Sequence, residues 1–340
     1  MKRLRVLALV DRELVPPEQP AEARSEATPW KTEYDVAKTL RRLGHEVLIL
    51  GVSADLTPIR QAVSDFRPHI AFNLIEAFDN VASWDQNVVA YLELIKVAYT
   101  GCNARGLLLA RDKAIAKKLL AYHRIAVADF AVCPRGPAVR RPGRLSFPLI
   151  VKSLTLDASI GISQASVVDD DAKLQERVRF IHESIGTDAI VERYIEGREL
   201  YVGVLGNHRL QVLPTWELFF HDMPEEARNI ATERVKWSLS YRRKHKITSG
   251  VARDLDEAAA RRIRETCKRV YRNLMLSGYA RIDLRLTEQG QIYVMEANPN
   301  PHLARDEDFA ESALKVGIEY PALIRRILNL GLDWEPARAG

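Results

Sequence analysis

Gly278 to His302 reads GYARIDLRLTEQGQIYVMEANPNPH, and two runs in it, Tyr279 to Leu286 and Gln291 to Ala297, alternate in polarity around Thr287-Glu288-Gln289-Gly290. This pattern predicts a β-hairpin. A two- or four-residue loop centred on the turn pairs Leu286 with Gln291. Counting outward sets Arg281 across from Glu296 and Asp283 across from Val294, with Asp283 diagonal to Glu296 and Asn298 further along the same face. The opposite face collects Ile282, Leu284, Leu286, Tyr293, Met295 and Ala297, as a sheet resting on a core requires. An arginine, two carboxylates and a carboxamide then share one side. Such oxygen donors suit Mg²⁺, whose shell is usually completed by water and substrate phosphates. A plain solvated hairpin also carries mixed charge. It has no need, however, of Pro299 and Pro301 to stiffen the exit beyond Asn298.

The 340 residues leave room for two or three units of ordinary domain size. With 50 Lys and Arg against 45 Asp and Glu, the surface is mixed in charge, and its small basic excess fits a small anionic ligand. Nucleic acid is disfavoured, because no zinc-finger, KH or RNP pattern is present. Cys102, Cys133 and Cys267 are scattered and odd in number, which argues against a disulfide framework or a zinc site and fits a reducing cytoplasm. The basic start MKRLRVLALVDRE imitates a signal peptide, but its apolar run is short and ends at Asp11; it reads as a first buried strand. No run reaches transmembrane length, so no membrane partner is expected.

Beyond Asp11, Glu13 to Trp30 reads as a loop, Thr32 to Leu43 as a helix ended by Gly44, and His45 to Leu50 as a strand. A helix near Pro58 to Asp65, a strand His69 to Leu74, a helix Asn87 to Lys96 and a strand Val97 to Thr100 complete an alternating unit, expected to be an open parallel sheet. Ligands of such sheets gather at the carboxyl ends of strands, here Asp11 to Glu13 and Glu76 to Asp79. Further on, FPLIVK (147–152) is a buried strand ending in a lysine beside the Ser- and Gly-bearing loop SLTLDASIGIS. Ala172 to Ser184 reads as a helix and AIVERYIEG (189–197) as a strand. The stretch from Arg228 to Arg253 is basic and turn-rich.

R-I-D followed by M-E-A-N-P resembles the metal-binding hairpin of the ATP-grasp superfamily, and GIEYPALIRRIL resembles the closing helix of its D-alanine:D-alanine ligase branch. YTGCNARG and the following Lys113 resemble the same branch. The resemblance implies an ATP-grasp fold: an N-terminal open parallel α/β sheet domain (1–105), a central lid domain (106–190) and a C-terminal mixed-sheet domain (191–340). It implies Asp283, Glu296 and Asn298 as ligands of two Mg²⁺ ions, with Mn²⁺ an admissible substitute, and Arg281 as the transition-state cation. Lys113 and Lys152 would hold phosphates under a lid containing Ser159 and Gly161. Main-chain groups around Arg193 to Ile195 would meet the adenine beside Glu192, and Glu199 would take the ribose hydroxyls. Lys236 and Trp237 match a lysine-aromatic pair in a loop that folds over the triphosphate.

The implied activity is ATP-dependent carboxylate-amine ligation of small amino-acid-like substrates through an acyl phosphate, in a protein for which a homodimer stays open. Departures from the family pattern concern the substrates. Ala158 and Glu307 stand where the family has serines, Glu76-Ala77 replaces a His-Gly pair, and DRELVPP replaces a Glu-containing loop. An acceptor other than plain D-alanine is therefore expected, with Glu76, Trp237, Arg305 and Glu307 as substrate residues. D-Alanine:D-alanine ligase proper, a phosphotransferase on the same fold and a non-catalytic basic binding protein are the alternatives.

Overall fold

The computed structural model describes residues 2–17, 28–136, 141–157 and 159–335. The apolar run RVLALVD forms β1 (Arg5–Asp11), which lies buried between β2 (Glu46–Val52) and β3 (Ile70–Asn73) in a parallel sheet ordered β2-β1-β3. Its crossovers carry α1 (Lys31–Arg42) and α2 (Thr57–Phe66), and α3 (Asp85–Leu94) follows β3. The strand expected at Val97 to Thr100 is reduced to one parallel bridge, Tyr99 to Ala71. Positive φ at Lys96 and Gly101 bends the segment away at both ends.

α4 (Ala104–Arg111) and α5 (Lys113–Tyr122) start at side-chain caps: Asn103 accepts from Gly106 N, and Asp112 from Ala114 N and Ile115 N. An antiparallel sheet follows, built from β4 (Phe130–Cys133), β5 (Leu149–Ser153), β6 (Val167–Val168) and β7 (Ala189–Arg193) in the order β4-β7-β5-β6. α6 (Asp171–Phe180) packs on it and runs into a π-helical turn, Ile181–Ile185.

The third sheet contains β8 (Arg198–Leu205), β9 (Gln211–Val212), β10 (Trp216–Phe219), β11 (Thr248–Val251), β12 (Tyr279–Leu286) and β13 (Ile292–Pro299), ordered β11-β10-β8-β12-β13 with β9 on β8. Its ladders are antiparallel, and Val127 adds a parallel bridge to Val294. The basic stretch 228–253 is more ordered than its composition suggests. It folds into α7 (Glu233–Trp237), α8 (Leu239–Lys244) and β11, because Thr232 caps Val235 N and Ser238 caps Tyr241 N. α9 (Glu257–Asn273), capped by Asp256, leads into the hairpin, and α10 (Asp308–Leu314) and α11 (Tyr320–Leu332) follow it. One core joins the first and third sheets through Leu7, Leu9, Val202, Ile282 and Leu284, with Ile263 of α9. A second core covers the other face of β1 through Val6, Leu40, Phe72, Ile324 and Leu328. Among the described residues, no helix is long and apolar enough to cross a membrane.

The hairpin register differs from the expected one in two places. Leu286 pairs with Ile292 rather than Gln291, because the loop is closed by Thr287 N to Gln291 O and Gly290 takes a positive φ. A bulge between Asp283 and Leu284 then sets Met295 outside the ladder, so that Asp283 faces Glu296 and Arg281 faces Asn298. Each single shift flips side chains to the other face, and the second undoes the first. The polar set therefore keeps its common face. Near the turn, Val294 instead of Tyr293 and Met295 reaches the core.

Gly278, at φ +69°, joins α9 to β12 where a Cβ would lie 2.5 Å from Gly101 O. Gly278→Ala is expected to lower stability by about 2–4 kcal/mol, read as an earlier urea unfolding midpoint.

Candidate active site

Lys113 and Lys117, four residues apart in α5, project on one face and are both buried. Lys117 Nζ lies 3.4 Å from Glu192 Oε2, and Lys152 Nζ, from β5, lies 3.2 Å from the same oxygen. Lys117 also donates to Met295 O at 3.1 Å, a carbonyl at the bulge. Glu192 is 0% exposed, and its Oε1 has no partner among the described residues. Burial alone would raise its pKa; the charges of Lys117 and Lys152 outweigh that and hold it below the usual carboxylate range.

Lys113 Nζ contacts Asp157 Oδ1 at 2.8 Å and Leu156 O at 2.7 Å, and lies 3.8 Å from Glu296 Oε2. Asp157 Oδ2 also receives Arg111 Nη1 at 2.6 Å, and Arg111 pairs with Asp85. Across the cleft, Glu199 accepts from Arg285 Nη2 at 2.6 Å and from Tyr201 OH at 2.8 Å. A cavity of about 70 Å³ opens over these groups, lined by Lys113, Lys152, Ser159, Ile195, Glu199 and Lys236, with Asp283 and Glu296 on its wall.

On the hairpin face Arg281 holds Asp283 with two hydrogen bonds, at 2.7 and 2.9 Å. Asn298 Nδ2 lies 3.4 Å from Glu296 Oε1. Burial, with the Glu296 charge adding to it, pushes the Asp283 pKa up in spite of Arg281. Glu296 is held down: burial would raise it, but Lys113, Lys236, Lys152 and Arg281 prevail. Two facing carboxylates and a carboxamide oxygen form a hard-donor set whose crowded negative charge a divalent cation would relieve, so these residues fit Mg²⁺.

A second cavity, of about 200 Å³, shares Asp157 and Lys236 with the first and is also lined by Arg281, Asn298, Glu76, Trp237, Glu307 and His302. His302 Nε2 lies 3.4 Å from Glu76 Oε1. The hydrogen bond and charge of Glu76, with Glu307 adding, raise the His302 pKa to about 9.

The family described as D-ala D-ala ligase C-terminus matches residues 119–329. This chain belongs to that family. The uncharacterized protein y4sG of Sinorhizobium fredii is 30% identical over 316 residues, covering 89% of this chain and 88% of the relative. A D-alanine–D-alanine ligase of Nitratidesulfovibrio vulgaris is 29% identical over 314 residues, 89% of this chain and 95% of that one. Among solved structures, D-alanine–D-alanine ligase from Bacillus anthracis complexed with ATP is similar with a TM-score of 0.74 at 20% identity over 97% of each chain. VanG D-Ala:D-Ser ligase from Enterococcus faecalis follows with 0.68 at 17%, covering 97% of this chain and 100% of that one. The fold is ATP-grasp, and this D-ala D-ala ligase relative is a C–N bond-forming enzyme.

Within this ligase-family chain, the sequence-predicted residues Gly161, Glu192, Arg193 and Arg305 line neither cavity. Arg193 follows Glu192 in β7 and so points to the other side; its Nη2 donates to Tyr293 OH at 3.1 Å, and its N–H is taken by Asp129 O. Arg305 turns to α1, where Nη2 donates to Thr39 Oγ1 at 3.1 Å and the guanidinium lies over Tyr320. Ala158 lies outside the described residues. Sequence reasoning missed Asp157, Arg111, Arg285 and Lys117. The spacing of four from Lys113 was the available signal for Lys117; the others depend on contacts between distant segments.

Removing the carboxylate of Glu192 strands two buried lysines. Glu192→Ala is expected to lower the unfolding free energy by about 3–5 kcal/mol in chemical denaturation. Lys117→Met, which leaves Glu192 with Lys152, should cost clearly less.

Proposed function

We propose that this ligase activates the carboxylate of one small amino-acid-like substrate with ATP and joins it to the amine of a second one that is not plain D-alanine. The observation that carries the reading is the wall between the two cavities. Asp283 and Glu296 line the smaller, Arg281 and Asn298 the larger, and all four belong to one hairpin face. A phosphoryl group held in the first cavity would thus emerge beside a substrate in the second.

In this reading Lys113, Lys152 and Lys236 hold phosphate oxygens, with Ser159 in the loop above them. The unpartnered Oε1 of Glu192 is available to the adenine amino group, Ile195 meets the ring, and Glu199 takes the ribose hydroxyls while Arg285 and Tyr201 fix its orientation. Asp283, Glu296 and Asn298 would hold two Mg²⁺ ions, which neutralise phosphate charge and align the γ-phosphoryl group. The substrate carboxylate attacks that group, ADP leaves, and the acyl phosphate is attacked by the amine with release of phosphate. Arg281, half-buried and held charged by Asp283, stabilises the tetrahedral oxyanion. Around the larger cavity, Glu307 would repel an acceptor carboxylate and Arg305 faces elsewhere, so the acceptor group at Glu307 is neutral or cationic. The division at 1–105, 106–190 and 191–340 and a cytoplasmic location belong to the same proposal.

A screen of amino acids in pairs for ATP-dependent phosphate release, with product analysis, tests this reading. An amide product supports it; a phosphorylated substrate or efficient D-alanyl-D-alanine synthesis overturns it. Glu296→Gln should cut turnover by about 100-fold or more while circular dichroism and unfolding stay as in the wild type. The two segments over the cleft already touch: Gln164 and Arg228 exchange two hydrogen bonds, at 2.9 and 3.0 Å, and Glu233 N donates to Ile162 O. Phosphates would compete with Asp157 for Lys113, so amide hydrogen exchange in 153–163 and 228–237 should slow when Mg-ATP binds. Equal exchange with and without nucleotide would refute closure.

A further inference from the structure

His302 lines the larger cavity beside Arg281 without a part in the ligation chemistry. The backbone that brings it there is held firmly. Pro299 and Pro301 restrict the chain on either side of Asn300, whose Oδ1 accepts from Cys102 N at 2.8 Å. Beyond the ring, Leu303 is fully buried and its carbonyl accepts from Tyr320 OH at 2.7 Å. His302 Nε2 faces Glu76 Oε1 at 3.4 Å, while Nδ1 has no hydrogen-bond partner among the described residues. In the neutral ring Glu76 claims the N–H at Nε2, so Nδ1 keeps an open lone pair. A carboxylate on one nitrogen and a vacant acceptor on the other equip an imidazole to take a proton from a ligand.

Amide formation has such a proton to remove, because an amine that arrives as its ammonium ion has no lone pair with which to attack. Most carboxylates at the cavity are already engaged: Asp85 and Asp157 hold Arg111, and Asp308 accepts from Ser249. Glu307 is open, but carboxylates are weaker bases than amines by several orders of magnitude. Lys236, Arg242 and Arg281 are cations. His302 is faced by Glu76 beyond β3, Glu307 before α10, Arg281 of β12 and the buried Glu33 of α1, while α7 adds Lys236 and the ring of Trp237, centred 6.2 Å away. The hydrogen bond and charge of Glu76, with Glu307 adding, prevail over burial and Arg281 and raise the imidazole to about 9. That value lies between those of ordinary α-amino and ε-amino groups, about 8 and 10, so a proton passes from amine to imidazole with little uphill cost.

Resting on the ligase reading, we propose that His302, oriented by Glu76, is the general base that takes protons from the attacking amine. An ammonium ion sheds two protons in becoming an amide N–H. The first passes to neutral His302 and on to solvent as the amine is freed. The second passes to the same Nδ1 as the C–N bond forms and the C–O bond of the acyl phosphate breaks, the electron pair of that bond leaving with the phosphate; the imidazolium then returns its proton to solvent. Glu76 is a positioning residue in this step.

The test uses the full-length protein with Mg-ATP and the amino acids that support phosphate release. Amine acceptors are compared with hydroxylamine, whose nitrogen is largely unprotonated at neutral pH and which traps an acyl phosphate as a hydroxamate without help from a base. His302→Gln should lower kcat with the amine about 100-fold and hydroxamate formation less than about threefold, with KM for ATP within about twofold. In the wild type, kcat with the amine should rise with pH up to about 9. Glu76→Gln should move that limb down toward about 6.5, the ordinary histidine value. Equal losses with both nucleophiles in His302→Gln, no loss with the amine, or a limb that stays in place in Glu76→Gln would overturn the base and leave the ligase reading standing. If His302→Gln does not fold, the limb in Glu76→Gln decides. Hydroxamate formation by a protein that accepts no amine overturns the base as well. If neither hydroxamate nor amide forms with any amino acid, the ligase reading itself fails and the base falls with it.

Discussion

Asp283 and Glu296 face each other across β12 and β13 with their carboxylates on one side, an arrangement that like charges oppose. It persists because cations from other parts of the chain surround the pair. Arg281 clamps Asp283 from the same strand, while Lys113 of α5 and Lys152 of β5 bring positive charge to Glu296 from outside the hairpin's own sheet. The bulge at Met295 serves both ends of this arrangement. It sets the two carboxylates opposite one another, and it leaves a carbonyl at which Lys117 is fastened.

Below the cleft, a single carboxylate answers two buried lysines. Such triads contribute little net stability compared with apolar packing, although breaking them is expensive. Lys117 and Lys152 meet on one oxygen of Glu192, and the other oxygen is left open. In the proposed reading a ligand donor would complete this set, so that nucleotide binding and the integrity of the β4-β7-β5-β6 sheet would depend on the same group. Lys113 shows the same economy of charge: Asp157 occupies it, and the loop carrying Asp157 is the one that lies over the cleft.

Two of the residues at which the sequence departs from the resembled family pattern, Glu76 and Glu307, line the larger cavity. The charged His302 lies with them, 3.4 Å from Glu76. In the proposed reading, this concentration of carboxylates, rather than the ATP-grasp frame shared with proteins of 20% identity, bears on which amino acids are chosen.

Composition and periodicity were enough to recognise most of the alternating first unit, the end of α1 at Gly44 and the shared face of Arg281, Asp283, Glu296 and Asn298. All of these follow from local rules: side-chain alternation has period two, and caps act within one turn. Register was not local. The expected pairing of Leu286 with Gln291 was one residue short, and a second shift at the bulge restored the face, because loop closure and bulges respond to neighbouring strands. Burial was not local either. Lys117, Asp157, Arg285 and Glu33 look like ordinary charged surface residues in the sequence, and Arg305 looks like a substrate residue. Their positions were decided only when α1, α5 and three sheets packed together, since a charge's meaning depends on which distant segments surround it and how much water they exclude.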